Sequence, residues 1–338
     1  MQVLWKLQKH WNKDSLVLYT KSKKERCMIA LLTGGAGFIG SHIADKLLEF
    51  DHEVILIDNF SLGKEENIAH HKENKKLQLY KTDICSNLDS IFKKHKIDIV
   101  FHIAALPRVQ FSIKNPVETN NANVNGTLNL LNLCRNYGVK RFVFSSSSSV
   151  YGNQEKLPLK ESMLTNPLSP YGLQKLIGEN YCRLFNIIYG METISLRYFN
   201  VFGPRQDPEG DYACLIPKFI KLMKEEKQPV IYGDGEQTRD FTFVSDVVEA
   251  NILAATTENK ECFGKVFNIG AGKNISVNMV ADKISKITES KTKTIHSAPV
   301  IEPKHTLADI SRVQRYIKWK PKTSFEKGLE ITHNYFNK

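Results

Sequence analysis

Long apolar runs are missing from this sequence of 338 residues. No stretch approaches the roughly 18 consecutive apolar residues of a membrane-spanning helix, so we expect no membrane span. Cysteine pairs of the C-x-x-C type are missing too, as are His/Cys clusters at zinc-binding spacing, so no metal site is predicted. The six cysteines are scattered, which favours a cytoplasmic location in which thiols act as small apolar side chains.

Nucleic-acid-binding motifs such as a helix-turn-helix are also absent, although the net charge is +11. Residues 1–27 contain seven lysines and arginines and two acids, which accounts for +5. The rest of the chain therefore has a net charge of only +6, which favours small anionic substrates over a duplex. We predict no nucleic-acid partner.

Residues 1–27 precede the first strand-like segment and lack the continuous apolar core of a secretory signal. We interpret them as an N-terminal extension that is not part of the fold. Val3, Leu4, Leu7 and Trp11 fall at helical spacing. A short basic amphipathic helix that touches a membrane surface is therefore the alternative.

From Met28 onward, apolar strand-like segments alternate with helical ones. The strand-like segments are nearly all apolar, as a sheet covered on both faces requires. Right-handed crossovers then give an α/β fold with a doubly wound parallel sheet. The predicted strands are 28–33, 53–58, 77–81, 98–103, 140–146 and 192–197, and the main predicted helices are 38–50, 117–137 and 171–189.

After residue 200 the sequence contains more turns, at Gly203-Pro204 and Gly233-Asp-Gly235 among others. Short helices are predicted at 216–226 and 278–287. We predict a main domain of residues 28–199 with a return segment at about 243–271, in which residues 266–270 add a strand to the sheet. Residues 200–242 and 272–338 would form a smaller C-terminal α/β lobe that binds the substrate.

Gly34, Gly37 and Gly40 form a G-x-x-G-x-x-G turn between the first predicted strand and the first helix. Glycine is needed where φ is positive and where backbone approaches a pyrophosphate, and the helix N-terminus supplies free N–H groups. Asp58 ends the next strand, where a carboxylate accepts ribose hydroxyls and repels a 2′-phosphate. The pattern predicts a Rossmann domain that binds NAD.

Alternatives remain for each part of this cofactor prediction. A glycine trio alone is often only a tight turn. Lys64, just downstream of Asp58, would suit NADP. Asp83 follows the third predicted strand, so it is either a contact to the adenine or an ordinary turn carboxylate.

Tyr171 and Lys175 stand four residues apart in a predicted helix and therefore share one helix face. A neighbouring ammonium can lower the pKa of a phenol, which at about 10 is too high for a general base at neutral pH. The phenolate would then remove a proton from a hydroxyl of the substrate. A helix tyrosine beside a surface lysine is the alternative, because Y-x-x-x-K is common by chance.

Five consecutive serines, residues 145–149, follow the fifth predicted strand at the carboxyl end of the sheet, where ligands bind. Ser147 is the predicted partner of the reacting oxygen, and Ser148 is the second choice. A polar turn is the alternative, and it is our interpretation of Ser145 and Ser149.

Further motifs accompany the glycine turn and the Ser147/Tyr171/Lys175 set. They are Asp58-Asn59, His102-Ile-Ala-Ala105, Asn123-Val-Asn-Gly126, Arg197-Tyr-Phe-Asn-Val-Phe-Gly-Pro204 and Arg239-Asp-Phe. From about Met28 to the C-terminus, the chain resembles the extended short-chain dehydrogenase/reductases of the sugar-nucleotide epimerase/dehydratase group. Within that group it is most similar to bacterial UDP-N-acetylglucosamine 4-epimerases, notably over residues 203–213.

The resemblance implies NAD as the cofactor and a UDP-sugar as the substrate. Cofactor contacts are implied for Gly34, Gly37, Phe38, Ile39, Gly40, Asp58, Asn59, Asp83, Ile84, Ala104, Asn123, Lys175 and Tyr198, with Asn123, Tyr198 and Phe199 on the nicotinamide side. Substrate contacts are implied for Ser148, Asn200, Arg239, Thr306 and Arg108.

Three of the implied substrate contacts have specific expected roles. Asn200 would hold a sugar or phosphate oxygen, and the guanidinium of Arg239 would pair with the diphosphate. Thr306 would leave space for an N-acetyl group. The resemblance also implies a homodimer in which segments 117–137 and 171–189 pair as a four-helix bundle.

The reaction within the family depends on the two residues after the catalytic Ser, here Ser148 and Ser149. Dehydratases and decarboxylases of the family generally have an acid there, because elimination needs a group that shuttles a proton. Serine does not do so readily near neutral pH. We therefore predict 4-epimerisation of UDP-GlcNAc/UDP-GalNAc or UDP-Glc/UDP-Gal through a transient 4-keto sugar.

Other functions stay open at this point. Arg108 would suit a carboxylate, which favours a UDP-glucuronate-type 4-epimerase, unless it meets a phosphate or is a surface-loop residue. Another sugar-nucleotide dehydratase or reductase, or a non-enzymatic NAD-binding sensor or scaffold, is also conceivable. Many relatives have a phosphate-binding Arg before the last helices, but residues 299–305 lack it, and Lys304 would replace it only partly.

Overall fold

The computed structural model describes residues 27–209, 214–300 and 302–337. The amphipathic helix considered near the N-terminus lies outside the described residues. The elements in chain order are β1 (Ile29–Thr33), α1 (Phe38–Glu49), β2 (Glu53–Asp58), β3 (Leu77–Lys81), α2 (Asp89–Lys94), β4 (Ile99–His102), α3 (Val109–Lys114), α4 (Pro116–Asn120), α5 (Gly126–Asn136), β5 (Arg141–Ser147), α6 (Pro170–Tyr189), β6 (Glu192–Tyr198), β7 (Val201–Phe202), α7 (Leu215–Lys224), β8 (Val230–Tyr232), β9 (Thr238–Asp240), β10 (Thr242–Phe243), α8 (Val244–Thr256), β11 (Lys265–Ile269), β12 (Asn274–Ser276), α9 (Val277–Ile287), β13 (Ile295–Ser297), α10 (Ser311–Ile317) and α11 (Phe325–Phe336).

The largest sheet of the described residues has seven strands in the order β3-β2-β1-β4-β5-β6-β11. All neighbours are parallel, which confirms the predicted doubly wound sheet and the return of residues 266–270 to it. The direction of winding reverses between β1 and β4. Ligands of such sheets bind outside the carboxyl ends of the strands at this point.

Alternate residues of the strands face two separate apolar cores, one on each side of the sheet. Leu32 of β1 contributes to a core with α1 and α8, whereas Leu31 contributes to a core with α2, α5 and α6. Both side chains are fully buried, and burying a leucine stabilises a fold by about 1.5–3 kcal/mol. Among the described residues, no helix has both the length and the apolar character needed to cross a bilayer.

The later segments share the first of these cores. Phe219 of α7, Val280 of α9 and Leu329 of α11 belong to it. Three small strand pairs organise this part: β7 with β10, β8 with β13, and β9 with β12. The division into a main domain and a substrate-binding lobe stays a prediction.

Residues 116–136 are helical without a break, as predicted for 117–137, but α4 and α5 are joined by one π-helical turn, Asn121–Asn125. This segment contains three asparagines, which favour helices weakly because their amides compete for backbone groups. Asn123 is one of them and is buried against the loop after β4. Such turns often occur at functional sites.

One face of α6 exposes large apolar side chains. Leu173, Leu184, Ile187 and Ile188 are all more than one-third exposed, and Val117 of α4 is 83% exposed. The exposed apolar residues of α4 and α6 lie on the two segments implied in a four-helix dimer contact.

Candidate active site

A cleft of about 460 Å³ opens at the carboxyl ends of the central strands. Its walls include the glycine turn, the ends of β2 and β4, the loop after β4, the serines at the end of β5 and the start of α6. Among the sequence-predicted residues, the walls contain Gly34, Gly37, Phe38, Ile39, Gly40, Asp58, Asn59, Asp83, Ile84, Ala104, Arg108, Tyr171, Lys175 and Tyr198.

The glycine turn is packed so closely against neighbouring backbone that it has no room for side chains. Gly34 has a φ of +67°, and a Cβ there would lie 2.7 Å from the backbone nitrogen of Ala104. A Cβ at Gly40 would overlap the carbonyl oxygen of Gly34. Helix α1 begins at Phe38 without a side-chain cap, and its first residues, Phe38, Ile39 and Gly40, line the cleft. This cradle fits a pyrophosphate.

Asp58 is fixed at the end of β2 by the glycine turn itself. Its carboxylate accepts hydrogen bonds from the backbone nitrogens of Ala36 and Phe60, at 2.9 and 2.8 Å. Burial raises the pKa of Asp58, and these two bonds oppose the rise. Asn59 donates to Asp83 at 2.6 Å, so the three predicted residues form one connected polar edge of the cleft.

Tyr171 lies in the first turn of α6, and its backbone nitrogen donates to the Ser112 hydroxyl at 3.1 Å. Burial raises the pKa of Tyr171 to about 12, and a hydrogen bond with Ser147 only partly opposes this. Desolvation thus opposes the effect of the neighbouring ammonium, which a sequence pattern does not reveal. A lowered phenol pKa is expected from the ammonium together with an oxidised nicotinamide ring, and it stays a prediction.

Lys175 is buried one turn further along α6. Its Nζ donates to the carbonyl oxygen of Ser145 at 2.7 Å and lies 5.9 Å from the centre of the Tyr171 ring. Burial lowers the pKa of Lys175 to about 7. Ser145 therefore differs from our interpretation as a turn residue, because it belongs to β5 and positions this ammonium.

Ser147 and Ser148 directly follow the two serines of β5 that line the cleft, Ser145 and Ser146. Ser147 is buried, and its hydroxyl accepts a hydrogen bond from the Ser149 nitrogen at 3.1 Å, so it also caps a short 3-10 turn, Ser148–Val150. Neither Ser147 nor Ser148 is among the residues of the cleft wall. The hydrogen bond with Tyr171 nevertheless brings Ser147 to the Tyr171/Lys175 pair.

Asn123 is buried and is not among the residues that line the cleft, and its expected nicotinamide contact stays a prediction. Its amide oxygen accepts a hydrogen bond from the Leu106 nitrogen at 2.8 Å. Its amide nitrogen donates to the carbonyl oxygen of Leu106 at 3.2 Å and to the side-chain oxygen of Gln174 at 2.8 Å. Its position in the π-helical turn directs it towards this loop. Asn123 thus holds a segment that lines the cleft.

The predicted substrate residues are dispersed, because only Arg108 lies on the cleft wall. Asn200 is exposed in a backbone conformation with φ +21°. Thr306 is buried against β9, where its hydroxyl accepts from the Asp240 nitrogen at 3.4 Å. Asn200, Thr306 and Ser148 are thus not among the residues that line this cleft, and their substrate contacts stay predictions.

Arg239 is buried in β9 and already has an anionic partner. Its guanidinium lies 2.8 Å from the carboxylate of Glu302 and donates to the carbonyl oxygen of Lys304 at 3.2 Å. Residues 299–305, which lack the usual arginine, thus supply a carboxylate to Arg239. A diphosphate would have to compete with Glu302 for this guanidinium.

Sequence reasoning missed an ion-pair bridge across the cleft. Asp207 lies 3.2 Å from Nζ of Lys64 and 3.7 Å from the guanidinium of Arg108. All three residues line the cleft, together with Gln206. The signal was present in the motif at residues 203–213, but the partners of Asp207 lie about 100 or more residues away in sequence.

Sequence reasoning also missed a buried ion pair near Tyr171 and Lys175. Glu179, one turn beyond Lys175, accepts two hydrogen bonds from Arg197, at 2.8 and 2.7 Å. Arg197 in turn stacks over the ring of Tyr151, at 4.6 Å. Paired buried charges of this kind fix the helix that carries Tyr171 relative to β6.

Comparison with known proteins gives a family match over most of the chain. Residues 30–270 match the family described as "NAD dependent epimerase/dehydratase family". The fold is similar to UDP-glucose 4-epimerase of Thermotoga maritima with UDP-glucose, with a TM-score of 0.87, 38% identity and coverage of 92% of this chain and 99% of that one.

Two further structures are similar over nearly their whole length. UDP-N-acetylglucosamine 4-epimerase of Methanobrevibacter ruminantium, in complex with UDP-N-acetylmuramic acid, has a TM-score of 0.87 and 41% identity, covering 93% of this chain and 99% of that one. UDP-glucuronic acid 4-epimerase of Bacillus cereus, in complex with UDP-glucuronic acid and NAD, has a TM-score of 0.85 and 36% identity, covering 92% and 99%.

Proposed function

Because the chain belongs to the NAD-dependent epimerase/dehydratase family, whose cofactor is NAD, we propose that it is a UDP-sugar 4-epimerase acting on UDP-GlcNAc/UDP-GalNAc or UDP-Glc/UDP-Gal. The family is that of the resemblance noted in the sequence. The choice of sugar and of the 4-epimerase reaction is our proposal. The similar structures are 4-epimerases of three different UDP-sugars, so they do not decide between sugars.

The glycine turn and the polar edge at β2 would hold the cofactor. The N-terminus of α1 would bind the pyrophosphate, and Asp58 would accept the ribose hydroxyls. Bound NAD supplies reversible oxidation at one carbon of the sugar. Everything else in the reaction is proton transfer and positioning by the chain.

Tyr171 is the proposed acid and base at the O4 hydroxyl of the sugar. Ser147 is close enough to hydrogen-bond the phenol, and Lys175 is held 5.9 Å from its ring by the Ser145 carbonyl oxygen. The phenolate would accept the O4 proton as the 4-keto sugar forms and return it afterwards. Rotation of the keto sugar between these steps would give the epimer.

A single observation carries the choice of epimerisation: the two residues after Ser147 are Ser148 and Ser149. Both are partly buried in the short 3-10 turn beside the cleft, where an acid would be needed for elimination. Serine hydroxyls do not exchange protons readily at neutral pH, so no shuttle towards C6 is supplied there.

Arg108 supports one alternative, a UDP-glucuronate 4-epimerase. Its guanidinium is on the cleft wall and would suit a sugar carboxylate. Asp207 already lies 3.7 Å from it, however, which reduces its attraction for a second carboxylate. We therefore rank the neutral sugars first.

The test is incubation of the purified chain with UDP-Glc, UDP-GlcNAc and UDP-GlcA in separate reactions, without added NAD, and identification of products by NMR. The proposal expects the C4 epimer of a neutral sugar and no other product. A 4-keto-6-deoxy product or a UDP-pentose would overturn it, and turnover of UDP-GlcA alone would establish the alternative. Tyr171→Phe is the matched control, and full activity in that variant would remove Tyr171 from the mechanism.

A further inference from the structure

Two adjacent histidines point at one carboxylate oxygen on the outer side of α1. The Nε2 atoms of His70 and His71 lie 2.8 and 2.7 Å from Oδ1 of Asp45. The two imidazole rings are 4.0 Å apart between centroids and tilted by 43°. The three donor atoms thus converge, and all lie within 4.8 Å of one another.

The elements that carry these residues are held close by the fold rather than by the cluster alone. Asp45 lies in the middle of α1, and His70 and His71 end a short 3-10 helix, Ala69–His71. Asn67, just before that helix, is buried and donates to the carbonyl oxygen of Ala36 at 2.8 Å. The 3-10 helix is therefore anchored to the glycine turn, and the donor atoms are preorganised.

Two imidazoles and a carboxylate form a donor set suited to Zn²⁺ and related ions. Zinc bonds of about 2.0–2.2 Å in a tetrahedron place donor atoms about 3.3 Å apart. The present N···O distances are 2.7 and 2.8 Å, so each would lengthen by about half an ångström on metal binding. The side chains of Asp45, His70 and His71 remain 31%, 25% and 16% exposed, so water can supply a fourth ligand.

A second layer of contacts orients the carboxylate. Arg205 donates to the other oxygen of Asp45 at 2.7 Å, which leaves Oδ1 to the histidines. Burial alone would raise the pKa of Asp45, but the hydrogen bonds from His70 and His71 and the charge of Arg205 hold it well below its usual range. The positive charge of Arg205 also weakens the binding of any cation at Asp45. The ion must therefore be one with a high affinity for nitrogen donors.

We propose that Asp45, His70 and His71 form a binding site for a divalent transition metal ion, with Zn²⁺ as the best-fitting ion. The ion would replace both Nε2–H···Oδ1 hydrogen bonds. In a neutral imidazole the displaced proton moves to Nδ1, and in a protonated one it leaves to solvent. No zinc-binding spacing is visible in the sequence, because the ligands come from α1 and from the 3-10 helix, 25 and 26 residues apart.

The metal site is structural in this proposal, and it borders the cleft. Arg205 lines the cleft, and Gln206 and Asp207 follow it in the same loop. His42 of α1 contacts this loop as well, through the carbonyl oxygen of Pro204 at 2.9 Å. An ion at Asp45 would therefore link α1 and the 3-10 helix to the loop that contains Arg205.

The test is titration of the chelator-treated full chain with Zn²⁺ in competition with a chromogenic chelator. Wild type is expected to bind one equivalent more tightly than His70→Ala and His71→Ala, by at least ~10-fold each. His296→Ala, which removes an exposed histidine outside the cluster, is the matched control and is expected to leave this affinity unchanged.

Two further measurements distinguish a metal site from two alternatives. These are a cluster that is held by hydrogen bonds alone and Zn²⁺ binding to cysteine thiols. His71→Asn keeps an amide donor for Asp45 but is a poor zinc ligand, so it should fold like wild type and lose the affinity. The visible spectrum of the Co²⁺ form should show nitrogen and oxygen ligands without thiolate charge transfer. Equal Zn²⁺ affinity in wild type and His71→Asn, or a thiolate spectrum, would overturn the proposal.

Discussion

Replacing Lys175 by methionine tests how the site makes Tyr171 a base at neutral pH. The pKa of Tyr171 is about 12 in the chain alone, because the phenol is buried. Lowering it to near 7 requires about 7 kcal/mol, at about 1.4 kcal/mol per pKa unit. Methionine keeps the length and apolar stem of Lys175 but removes its charge.

The effect of the Lys175 charge on the phenol follows from its distance. At 5.9 Å and an effective dielectric constant of 20, one full charge changes the free energy of ionisation by about 3 kcal/mol, or roughly two pKa units. The pKa of about 12 already includes Lys175, so the further lowering to near 7 would come from the positive charge of the oxidised cofactor. Because the base form of the phenol is required, Lys175→Met should move the rising limb of the pH–rate profile about two units higher.

The assay is kcat against pH for epimerisation of a neutral UDP-sugar. We expect a loss of about 100-fold near pH 7 that shrinks towards pH 9 to 10, where the phenol ionises without the ammonium. Lys156→Met, at an exposed position, is the control for a lost surface charge. A profile of unchanged shape, or a loss that is the same at every pH, would refute the electrostatic account.

Two other predictions concern the cofactor and the assembly. Gly40→Ala should lose bound NAD, because its Cβ would overlap the Gly34 carbonyl oxygen; nucleotide released on denaturation measures this, and retention of a full equivalent would contradict the proposed cradle. The homodimer implied by the family resemblance should dissociate in Ile187→Asp, since Ile187 is 63% exposed on α6; a wild type that is monomeric at micromolar concentration by light scattering would disprove the dimer itself.

The sheet was predictable because its strands are buried on both faces. β2 has the predicted bounds, and the helix at 171–189 differs from α6 by one residue. Local signals set these limits: the Ser169 hydroxyl caps the start of α6, and Gly190 ends it with a φ of +68°. The π-helical turn was not predictable, because it depends on a contact between Asn123 and Leu106.

The candidate site also has features that were predictable from the sequence and features that were not. The glycine turn and the Tyr171/Lys175 pair are short motifs, and the structure brings both to one cleft. The raised pKa of Tyr171 in the chain alone was not predictable from these motifs, because burial is a property of the whole fold. The engagement of Arg239 with Glu302 was missed for a similar reason, since the two residues are joined only when β9 meets the loop before α10.

The charge balance of the cleft bears on which sugar is bound. Lys64 and Arg108 are two cations on the wall, but Asp207 lies 3.2 Å from the first and 3.7 Å from the second. A sugar carboxylate placed at Arg108 would stand within about 5 Å of Asp207, where two like charges repel by about 3 kcal/mol at an effective dielectric constant of 20. Much of the attraction of Arg108 for a uronate would be cancelled, whereas a neutral hydroxyl or N-acetyl group would not meet this repulsion. The same bridge therefore favours a neutral UDP-sugar and makes Asp207 the residue whose removal should most improve binding of a uronate.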